Sequence, residues 1–274
     1  MCPPKISVVT PSYNQVSFLR ENLESVRSQS YEPVEHIVVD GGSDDGTVDI
    51  LREYEEEYDL RWVSESDRGQ THALNKGIDM ATGDWIGWQN SDDYYLPGSF
   101  ASVVAALDRN PSADAVYGDL RIVDSEGTEQ ARQFMIHPSK FIQRYWSLFA
   151  SNQSLFVRAE TLDRIHPLTE DLVYTMDAAL TWELLTGPQT LVRVPEPLGA
   201  FRVQEDAKTF DDVSREQRRE LDKIYDHPWY ESVIPRSVLE TAAQGLKFTG
   251  FLRERRCRAL EYNLRRVCRD IVDR

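Results

Sequence analysis

Short apolar runs that end in polar turns constrain the fold of this chain more than any other feature. Four of them occupy the first 90 residues: ISVVT at 6–10, HIVVD at 36–40, RWVS at 61–64 and WIGWQ at 85–89. Segments with apolar residues at helical spacing separate these runs, and a further run begins at Ala115. Such runs are typical of buried parallel strands, and their alternation with helices defines βαβ units. The pattern predicts an α/β fold on a mostly parallel, twisted sheet flanked by helices.

Helical patterns replace this alternation beyond residue 125. Helices are predicted at 140–149 and 177–186, and residues 212–274 are largely helical in pattern. The length of 274 residues fits one domain with a tail.

Composition and charge argue against several classes of protein. The net charge of −15 disfavours nucleic-acid binding. No apolar run approaches the ~20 residues of a membrane-spanning helix, and the N-terminal MCPPKISVVTP does not resemble a secretory signal. The three cysteines lie far apart and lack metal-ligand spacing. A reducing, cytoplasmic location is therefore expected.

Polar side chains follow the predicted strands where a ligand would bind. PSYN follows the first run, GGSDDGT follows the second, and NSDD follows WIGWQ. Ligands of open parallel sheets bind beyond the carboxyl ends of the strands, so several carboxylates would gather along one edge. Like charges this close favour a divalent cation. The first run is not followed by GxGxxG, and P-loop, GxSxG and HExxH motifs are missing, so the corresponding nucleotide sites and hydrolases are disfavoured.

Four motifs of this sequence occur together in one known family. They are TPSYN, VVDGGSDDGT, SESDRGQTHALNKGI and GDWIGWQNSDD, in this order. They resemble family-2 glycosyltransferases of the GT-A fold over roughly residues 5–205. The resemblance implies an inverting transferase that uses a nucleotide-diphosphate sugar and a divalent metal, Mg²⁺ or Mn²⁺. It also implies a catalytic domain at 1–210, with a nucleotide-binding half (1–125) and an acceptor half (126–210), and a helical C-terminal extension at 211–274.

The first three motifs match the nucleotide and sugar contacts of the family. Pro11 and Asp40 match positions that contact the base and the ribose, although Asp40 could instead simply start its turn. Lys76 could neutralise phosphate or lie on a solvated helix face. The full set of residues expected to bind the donor is Pro11, Tyr13, Asn14, Asp40, Asp67, Gln70, Asn75, Lys76, Asp92 and Arg202.

NSDD matches the DxD-type metal signature of the family, with one departure. Asn90 stands where the family has an aspartate, and an amide adds no negative charge. Asp92 is therefore the primary predicted metal ligand and Asp93 the second. The metal would bridge the diphosphate oxygens and offset the charge of the leaving nucleotide. The alternative is an exposed turn before Tyr94.

An inverting transfer needs one general base, which takes the proton of the acceptor hydroxyl. The candidates are Glu170–Asp171 and Asp177. Asp177 opens an amphipathic helix and better matches the base-bearing helix start of the family, so it is the predicted base. The alternative is a first-turn aspartate stabilised by the helix dipole, which would lower its pKa.

A late basic element resembles the family segment that folds over the diphosphate. It comprises Phe201–Arg202 and Lys208. Arg202 is a candidate bidentate phosphate clamp, with a surface arginine as the alternative. Family members often have histidine where Gln204 stands, so Gln204 is not counted as a metal ligand.

The last 30 residues differ in charge from the rest. Residues 245–274 carry a charge of +5, which leaves −20 on the remainder. Apolar residues recur at roughly helical spacing among the arginines of this tail. A basic amphipathic helix of this kind could dock on the acidic domain or contact an anionic membrane surface at its inner face.

The predicted function is transfer of a sugar from a nucleotide-diphosphate sugar to a hydroxyl of a glycan or lipid-linked acceptor, in polysaccharide or glycoconjugate biosynthesis. UDP is the commonest nucleotide in the family. One alternative is a sugar nucleotidyltransferase, which would need a Gly/Arg-rich signature where TPSYN stands. Another is a non-catalytic nucleotide-sugar-binding subunit, for which Asn90 is the only indication. The sequence does not define the donor sugar, the linkage or the oligomeric state.

Overall fold

The computed structural model describes residues 3–204 and 213–253. Within these ranges nine strands form one sheet, in the order β3-β2-β1-β4-β8-β6-β9-β5, with β7 paired to β6. The strands are β1 (Ile6–Ser12), β2 (Val34–Asp40), β3 (Leu60–Ser64), β4 (Trp85–Trp88), β5 (Tyr94–Tyr95), β6 (Ala115–Val123), β7 (Glu129–Gln133), β8 (Leu155–Arg158) and β9 (Leu191–Arg202). The α-helices are α1 (Val16–Arg27), α2 (Thr47–Tyr54), α3 (Gln70–Met80), α4 (Ser99–Arg109), α5 (Lys140–Tyr145), α6 (Ala159–Leu162), α7 (Met176–Thr186), α8 (Val213–Ile224) and α9 (Arg236–Arg253).

The first four strands are mutually parallel, as the apolar runs predict. Ser12 lies level with Asp40, and Asp40 lies level with Ser64. The carboxyl ends of three strands therefore meet at one edge, and their loops leave the sheet side by side. The predicted α/β class is confirmed.

Helix α3 packs closely on this parallel part of the sheet. A Cβ atom on Gly77 would lie only 2.4 Å from Cγ1 of Val9, so the glycine permits the close approach. The packing places the first turn of α3 beside the loop that follows β4. This loop carries NSDD.

Strands β8 and β9 in the second half of the sheet were missed by the sequence analysis. Strand β8 is antiparallel to both β4 and β6, whereas β9 is parallel to β6 and irregular in register. Pro195 and Pro197 lie inside β9, and prolines normally argue against a strand. Each antiparallel pairing therefore includes a strand after β4, and β4 itself joins the two halves of the sheet through β8.

The described part of the C-terminal extension packs against residues 140–147, within the predicted acceptor half. Nε of Arg144, on α5, lies 2.6 Å from a carboxylate oxygen of Glu231. Nζ of Lys247, on α9, donates to Oγ of Ser147 over 2.8 Å. The predicted basic amphipathic helix lies mostly at 254–274, outside the described residues, and so does Lys208. No helix within the described ranges is long and apolar enough to cross a membrane.

Candidate active site

The loops after β1 and β2 form one hydrogen-bonded surface. Asn14 N donates to Oγ of Ser43 over 2.7 Å, and Asp44 N donates to Oδ1 of Asn14 over 3.2 Å. Asn14 has a φ of +52°, a left-handed conformation that asparagine adopts more readily than most residues. The Tyr13 side chain is 62% exposed on this surface. The TPSYN and GGSDDGT segments thus hold each other in place.

The Asp40 carboxylate organises the turn that follows β2. It is fully buried. Its Oδ2 accepts hydrogen bonds from Ser43 N over 2.9 Å and from Oγ of Ser64 over 2.6 Å, and Gly42 N donates to the same oxygen over 3.1 Å. Pro11, also buried, pairs with Val39 inside the sheet. The Asp40 carboxylate is thus already hydrogen-bonded by the turn that follows it and by Ser64.

Tyr13 and Asp67 both lie against Gly41 at the sheet edge, and we call this grouping the Tyr13–Asp67 slot. A Cβ atom on Gly41 would lie 2.8 Å from Oδ2 of Asp67 and 3.2 Å from Cδ2 of Tyr13. Oδ1 of Asp67 accepts a hydrogen bond from Gly69 N over 2.8 Å, which fixes the carboxylate. The slot combines an exposed aromatic ring with a carboxylate acceptor.

The Asn90 amide explains the departure from the DxD pattern. Its Oδ1 accepts hydrogen bonds from Nε2 of Gln70 over 2.8 Å and from Nε1 of Trp88 over 2.9 Å. Its Nδ2 donates to Oδ2 of Asp93 over 3.2 Å. A carboxylate at position 90 could not donate this last bond and would face another carboxylate. Asparagine therefore links α3, β4 and the NSDD turn.

The Asp93 carboxylate faces the interior, contrary to its expected role as second metal ligand. The residue is 1% exposed. Its Oδ1 accepts a hydrogen bond from Arg202 N over 2.8 Å, and its Oδ2 accepts one from Nε2 of Gln153 over 2.7 Å. Burial, and then repulsion from Asp92, raise its pKa well above the usual range. With Asn90 also bound, both oxygens already have protein partners.

Asp92 is the better placed of the two predicted metal ligands. It is half-buried, and its Oδ2 accepts a hydrogen bond from Nε2 of Gln204 over 2.8 Å. Burial raises its pKa. Across residues 3–204 and 213–253, no three His, Cys, Asp or Glu side chains are grouped as a metal site. Mg²⁺ and related ions often take only one or two carboxylates, completed by phosphate oxygens and water, so Asp92 with a diphosphate fits such an ion.

The Arg202 guanidinium does not fit the expected phosphate clamp. The residue is 2% exposed. Its guanidinium donates to Asp92 O and Ser125 O, each over 2.9 Å, and pairs with Glu21. The Phe18 ring lies over the group, 4.9 Å from Cζ to the ring centre. Arg202 thus holds the NSDD turn through the carbonyl of Asp92. Because its buried guanidinium is already hydrogen-bonded to protein acceptors, it is not available to bind a phosphate.

Asn75 and Lys76, two further predicted donor-binding residues of the third motif, are bonded to other protein groups. The Asn75 amide makes two hydrogen bonds with the backbone of Leu168, of 2.9 Å and 2.8 Å. Lys76 pairs with Glu65. Of the four predicted donor residues in this motif, Asp67 and Gln70 contact the loops after β2 and β4, whereas Asn75 ties α3 to Leu168.

Asp177 occupies the first turn of α7 and is half-buried. Its Oδ1 accepts a hydrogen bond from Ala178 N over 2.7 Å. Burial nevertheless raises its pKa to about 6. The alternative of an aspartate stabilised by the helix dipole would lower the pKa, but desolvation of the carboxylate outweighs that effect.

The alternative base candidates have different surroundings. Both oxygens of Glu170 accept hydrogen bonds from the Arg68 guanidinium, each over 2.9 Å. Asp171 is exposed. This ion pair joins the third motif to the loop that leads into α7.

Sequence reasoning missed Glu220, which contacts the same loop from α8. Its carboxylate accepts hydrogen bonds from residues 173–175, directly before Asp177. The local sequence around Glu220 is a run of charged helix formers, so no signal distinguishes it from its exposed neighbours.

Similar solved structures define the class of this fold. The chain superimposes on Staphylococcus aureus TarS 1-349 in complex with UDP-GlcNAc with a TM-score of 0.63 and 17% identity, over 90% of this chain and 72% of that one. It also superimposes on the mannosyltransferase PcManGT of Pyrobaculum calidifontis, in complex with GDP-Man and Mn²⁺, with a TM-score of 0.63 and 18% identity, over 89% and 74% of the two chains. The fold is that of the GT-A glycosyltransferases.

The family follows from the sequence itself. The family model for glycosyl transferase family 2 matches residues 7–166, more than half of the chain. The chain belongs to this family, as its four motifs predicted.

Curated relatives match over part of their length. A PGL/p-HBAD biosynthesis glycosyltransferase of Mycobacterium bovis is 33% identical over 123 residues, which are 44% of this chain and 48% of that protein. An uncharacterized glycosyltransferase of Mycobacterium tuberculosis is 38% identical over 117 residues, 42% and 44% of the two chains. The matched region spans less than half of either relative.

Proposed function

We propose that this chain transfers a sugar, with inversion at the anomeric carbon, from a nucleotide-diphosphate sugar to a hydroxyl of a glycan or lipid-linked acceptor. The observation that carries the proposal is that one segment contacts all three groups: Asp67 lies with Tyr13 against Gly41, Gln70 donates to Asn90 in the turn that carries Asp92, and Thr71 donates to Leu172 in the loop that leads into Asp177.

The slot suits the nucleotide base of the donor. An exposed aromatic ring can stack on a base, and carboxylate oxygens can accept hydrogen bonds from an imide or a ribose. Tyr13 and Asp67 would contact the nucleotide directly. Pro11 lies at the end of β1, and Asn14 and Asp40 hold the loops that carry these contacts. A UDP-sugar is the first donor to test, because TarS was solved with UDP-GlcNAc; GDP-Man, present in the PcManGT structure, is the second.

Asp92 would hold the divalent metal, Mg²⁺ or Mn²⁺, together with the diphosphate of the donor. When bound, the metal offsets negative charge on the leaving nucleotide. Gln204 and Arg202 fix the turn: Gln204 donates to the Asp92 carboxylate and Arg202 to its backbone carbonyl. The metal role is assigned to Asp92 alone, because Asp93 faces inward.

Asp177 acts as the general base. The acceptor hydroxyl gives its proton to the Asp177 carboxylate as its oxygen bonds to the anomeric carbon, and the bond from that carbon to the diphosphate oxygen breaks. A base with a pKa of about 6 is largely ionised at neutral pH and more basic than an ordinary aspartate. Burial thus makes the Asp177 carboxylate a stronger general base than a carboxylate in water.

The acceptor and the cellular location are also part of the proposal. A role in polysaccharide or glycoconjugate biosynthesis in the cytoplasm is proposed, and the Mycobacterium bovis relative is named for a biosynthetic glycosyltransferase of PGL/p-HBAD. The basic tail at 245–274 would bring the enzyme to lipid-linked acceptors at the inner face of the membrane.

A donor panel tests the proposal. The purified chain is incubated with UDP-, GDP- and dTDP-sugars and a polyprenyl-phosphate-linked glycan, with MnCl₂ or with EDTA, and nucleotide release and the anomeric configuration of the product are measured. Metal-dependent release of one nucleotide with an inverted product is expected. No release from any donor by folded protein, or a retained anomer, would contradict the proposal.

A further inference from the structure

We propose that Glu220 is a positioning residue for sugar transfer: its carboxylate, brought by α8, holds the turn at 173–175 and thereby sets the position of Asp177. The inference rests on the proposed role of Asp177 as the base. It gives the described part of the C-terminal extension a direct part in catalysis.

The contacts of Glu220 are concentrated on this turn. Its Oε1 accepts a hydrogen bond from Val173 N over 2.9 Å. Its Oε2 accepts one from Tyr174 N over 3.0 Å and one from Oγ1 of Thr175 over 2.9 Å. Glu220 itself is only 7% exposed. Three donors on consecutive residues thus converge on one buried carboxylate.

These bonds hold the backbone just before α7 and do not cap the helix itself, because Val173 and Tyr174 precede its first residue, Met176. The first N–H groups of a helix have no partners within it and are usually satisfied by a local side chain. Thr175 stands at the N-cap position but makes no capping bond to its own helix; its hydroxyl donates to Glu220 instead. Burial would raise the pKa of Glu220, but the hydrogen bonds from the turn outweigh burial and lower it, so the carboxylate is charged at neutral pH.

The other side of the same loop is held by α3. The Asn75 amide bonds the backbone of Leu168, and Oγ1 of Thr71 donates to Leu172 O over 3.0 Å. Loss of Glu220 leaves these attachments, and the slot near Tyr13, unchanged. It releases only the last three residues before α7. The expected result is a misplaced base beside an intact donor site.

The α7–α8 contact does not depend on Glu220 alone. The rings of Trp182 and Tyr225 pack with their centres 4.7 Å apart, and Tyr225 follows α8 directly. Substitution of Glu220 by the isosteric glutamine should therefore preserve the fold. Glutamine keeps one acceptor oxygen but places an NH₂ group against backbone or hydroxyl donors.

The test compares Glu220→Gln and Glu220→Ala with Glu216→Gln, an exposed glutamate one turn earlier on α8. Transfer rates are measured at saturating donor and acceptor, and nucleotide affinity is measured by calorimetry with Mn²⁺. Because misplacing a catalytic group by about 1 Å can cost about 100-fold, kcat should fall about 10–100-fold in Glu220→Ala and less in Glu220→Gln. Nucleotide affinity should stay within about twofold, and Glu216→Gln should match the wild type.

Three outcomes would overturn the inference: a wild-type kcat in Glu220→Gln and Glu220→Ala, an equal loss of nucleotide affinity, or global unfolding of both variants by circular dichroism. The last two would show a general structural role. Asp177→Asn is measured in parallel. If Asp177→Asn keeps its activity, the proposed base is wrong, and this failure is distinct from a failure of Glu220 to affect kcat.

Discussion

The loops proposed to bind the donor and the turn before Asp177, the proposed base, are held in different ways. In the donor part, the loops after β1 and β2 bind each other, and Asn90 binds Asp93 three residues later. The turn before Asp177 instead depends on Glu220, 45 residues beyond Thr175, and on Thr71, 101 residues before Leu172. The loops after β1 and β2 are thus built within the first motifs, whereas the turn before Asp177, like the NSDD turn that Gln153 and Arg202 hold, is positioned by distant segments.

This difference has a chemical counterpart. Asp40 and Asp93 are saturated by protein donors and serve to shape turns, whereas Asp177 has few donors and a raised pKa. A carboxylate stabilised by many hydrogen bonds is a poor base. Asp40 and Asp93 therefore hold turns, whereas Asp177 keeps the basicity that its proposed role requires.

The largest expected effect is the loss of activity in Asp177→Asn. The amide cannot accept the proton of the acceptor hydroxyl, so kcat should fall about 100- to 10,000-fold, while nucleotide binding is unchanged. In the wild type, kcat should fall tenfold per pH unit below about pH 6, because protonation of Asp177 removes the base. Activity that persists in Asp177→Asn, or a wild-type kcat that falls only near pH 4, would contradict the proposed role of Asp177.

The same substitution should stabilise the fold at high pH. The folded-state pKa of about 6 lies above that of an unfolded aspartate, so the ionised carboxylate lowers stability above pH 6 and has no effect below about pH 4. Allowing for partial solvation of this half-buried group, Asp177→Asn should raise the free energy of unfolding by about 1–2 kcal/mol at pH 8. Urea titrations at pH 8 and pH 4 measure this difference in the free energy of unfolding. A variant less stable than the wild type at pH 8 would contradict the raised pKa of Asp177.

A smaller effect is expected from Gly41→Ala in the donor part. The added methyl would lie 2.8 Å from Oδ2 of Asp67, so the carboxylate must shift away from the position that its bond from Gly69 N gives it. Loss of one hydrogen bond between this carboxylate and the nucleotide, typically worth about 1.5 kcal/mol, should lower nucleotide affinity about tenfold. Gly245→Ala on α9 is the matched control, because its Cβ would meet nothing within 4 Å. Unchanged affinity in Gly41→Ala would exclude Asp67 from the nucleotide site.

The smallest effect is expected from Glu170→Gln. Its exposed ion pair with Arg68 contributes at most about 1 kcal/mol to stability. Since Asp177 is the proposed base, kcat should change less than about threefold, as is usual for surface substitutions. A loss as large as that of Asp177→Asn would transfer the base role to Glu170.

The motifs of the first half could be predicted because they are local. An apolar run followed by a polar turn defines both the strand and the loop at its end, and the parallel strands β1–β4 bring those loops together. The start of α7 at Met176 was also close to its predicted position. In each case neighbouring residues carry the information.

Long-range contacts account for what the sequence did not reveal. Arg202 has the chemistry of a phosphate ligand, but the fold buries it under Phe18 and against Glu21, far away in the sequence. Asp93 follows Asp92 directly, yet Gln153 and Arg202 N turn it inward. No local pattern distinguishes a buried, paired charge from an exposed one, so these roles emerge only from the fold.

Calorimetric titration of the wild type, Asp92→Ala and Asp177→Asn with UDP and GDP, in Mn²⁺ and in EDTA, tests the division of labour between the two parts most directly. We predict metal-dependent binding of one nucleotide to the wild type and to Asp177→Asn, and loss of that binding in Asp92→Ala. Binding that is equal in EDTA, or that survives in Asp92→Ala and is lost in Asp177→Asn, would contradict the account.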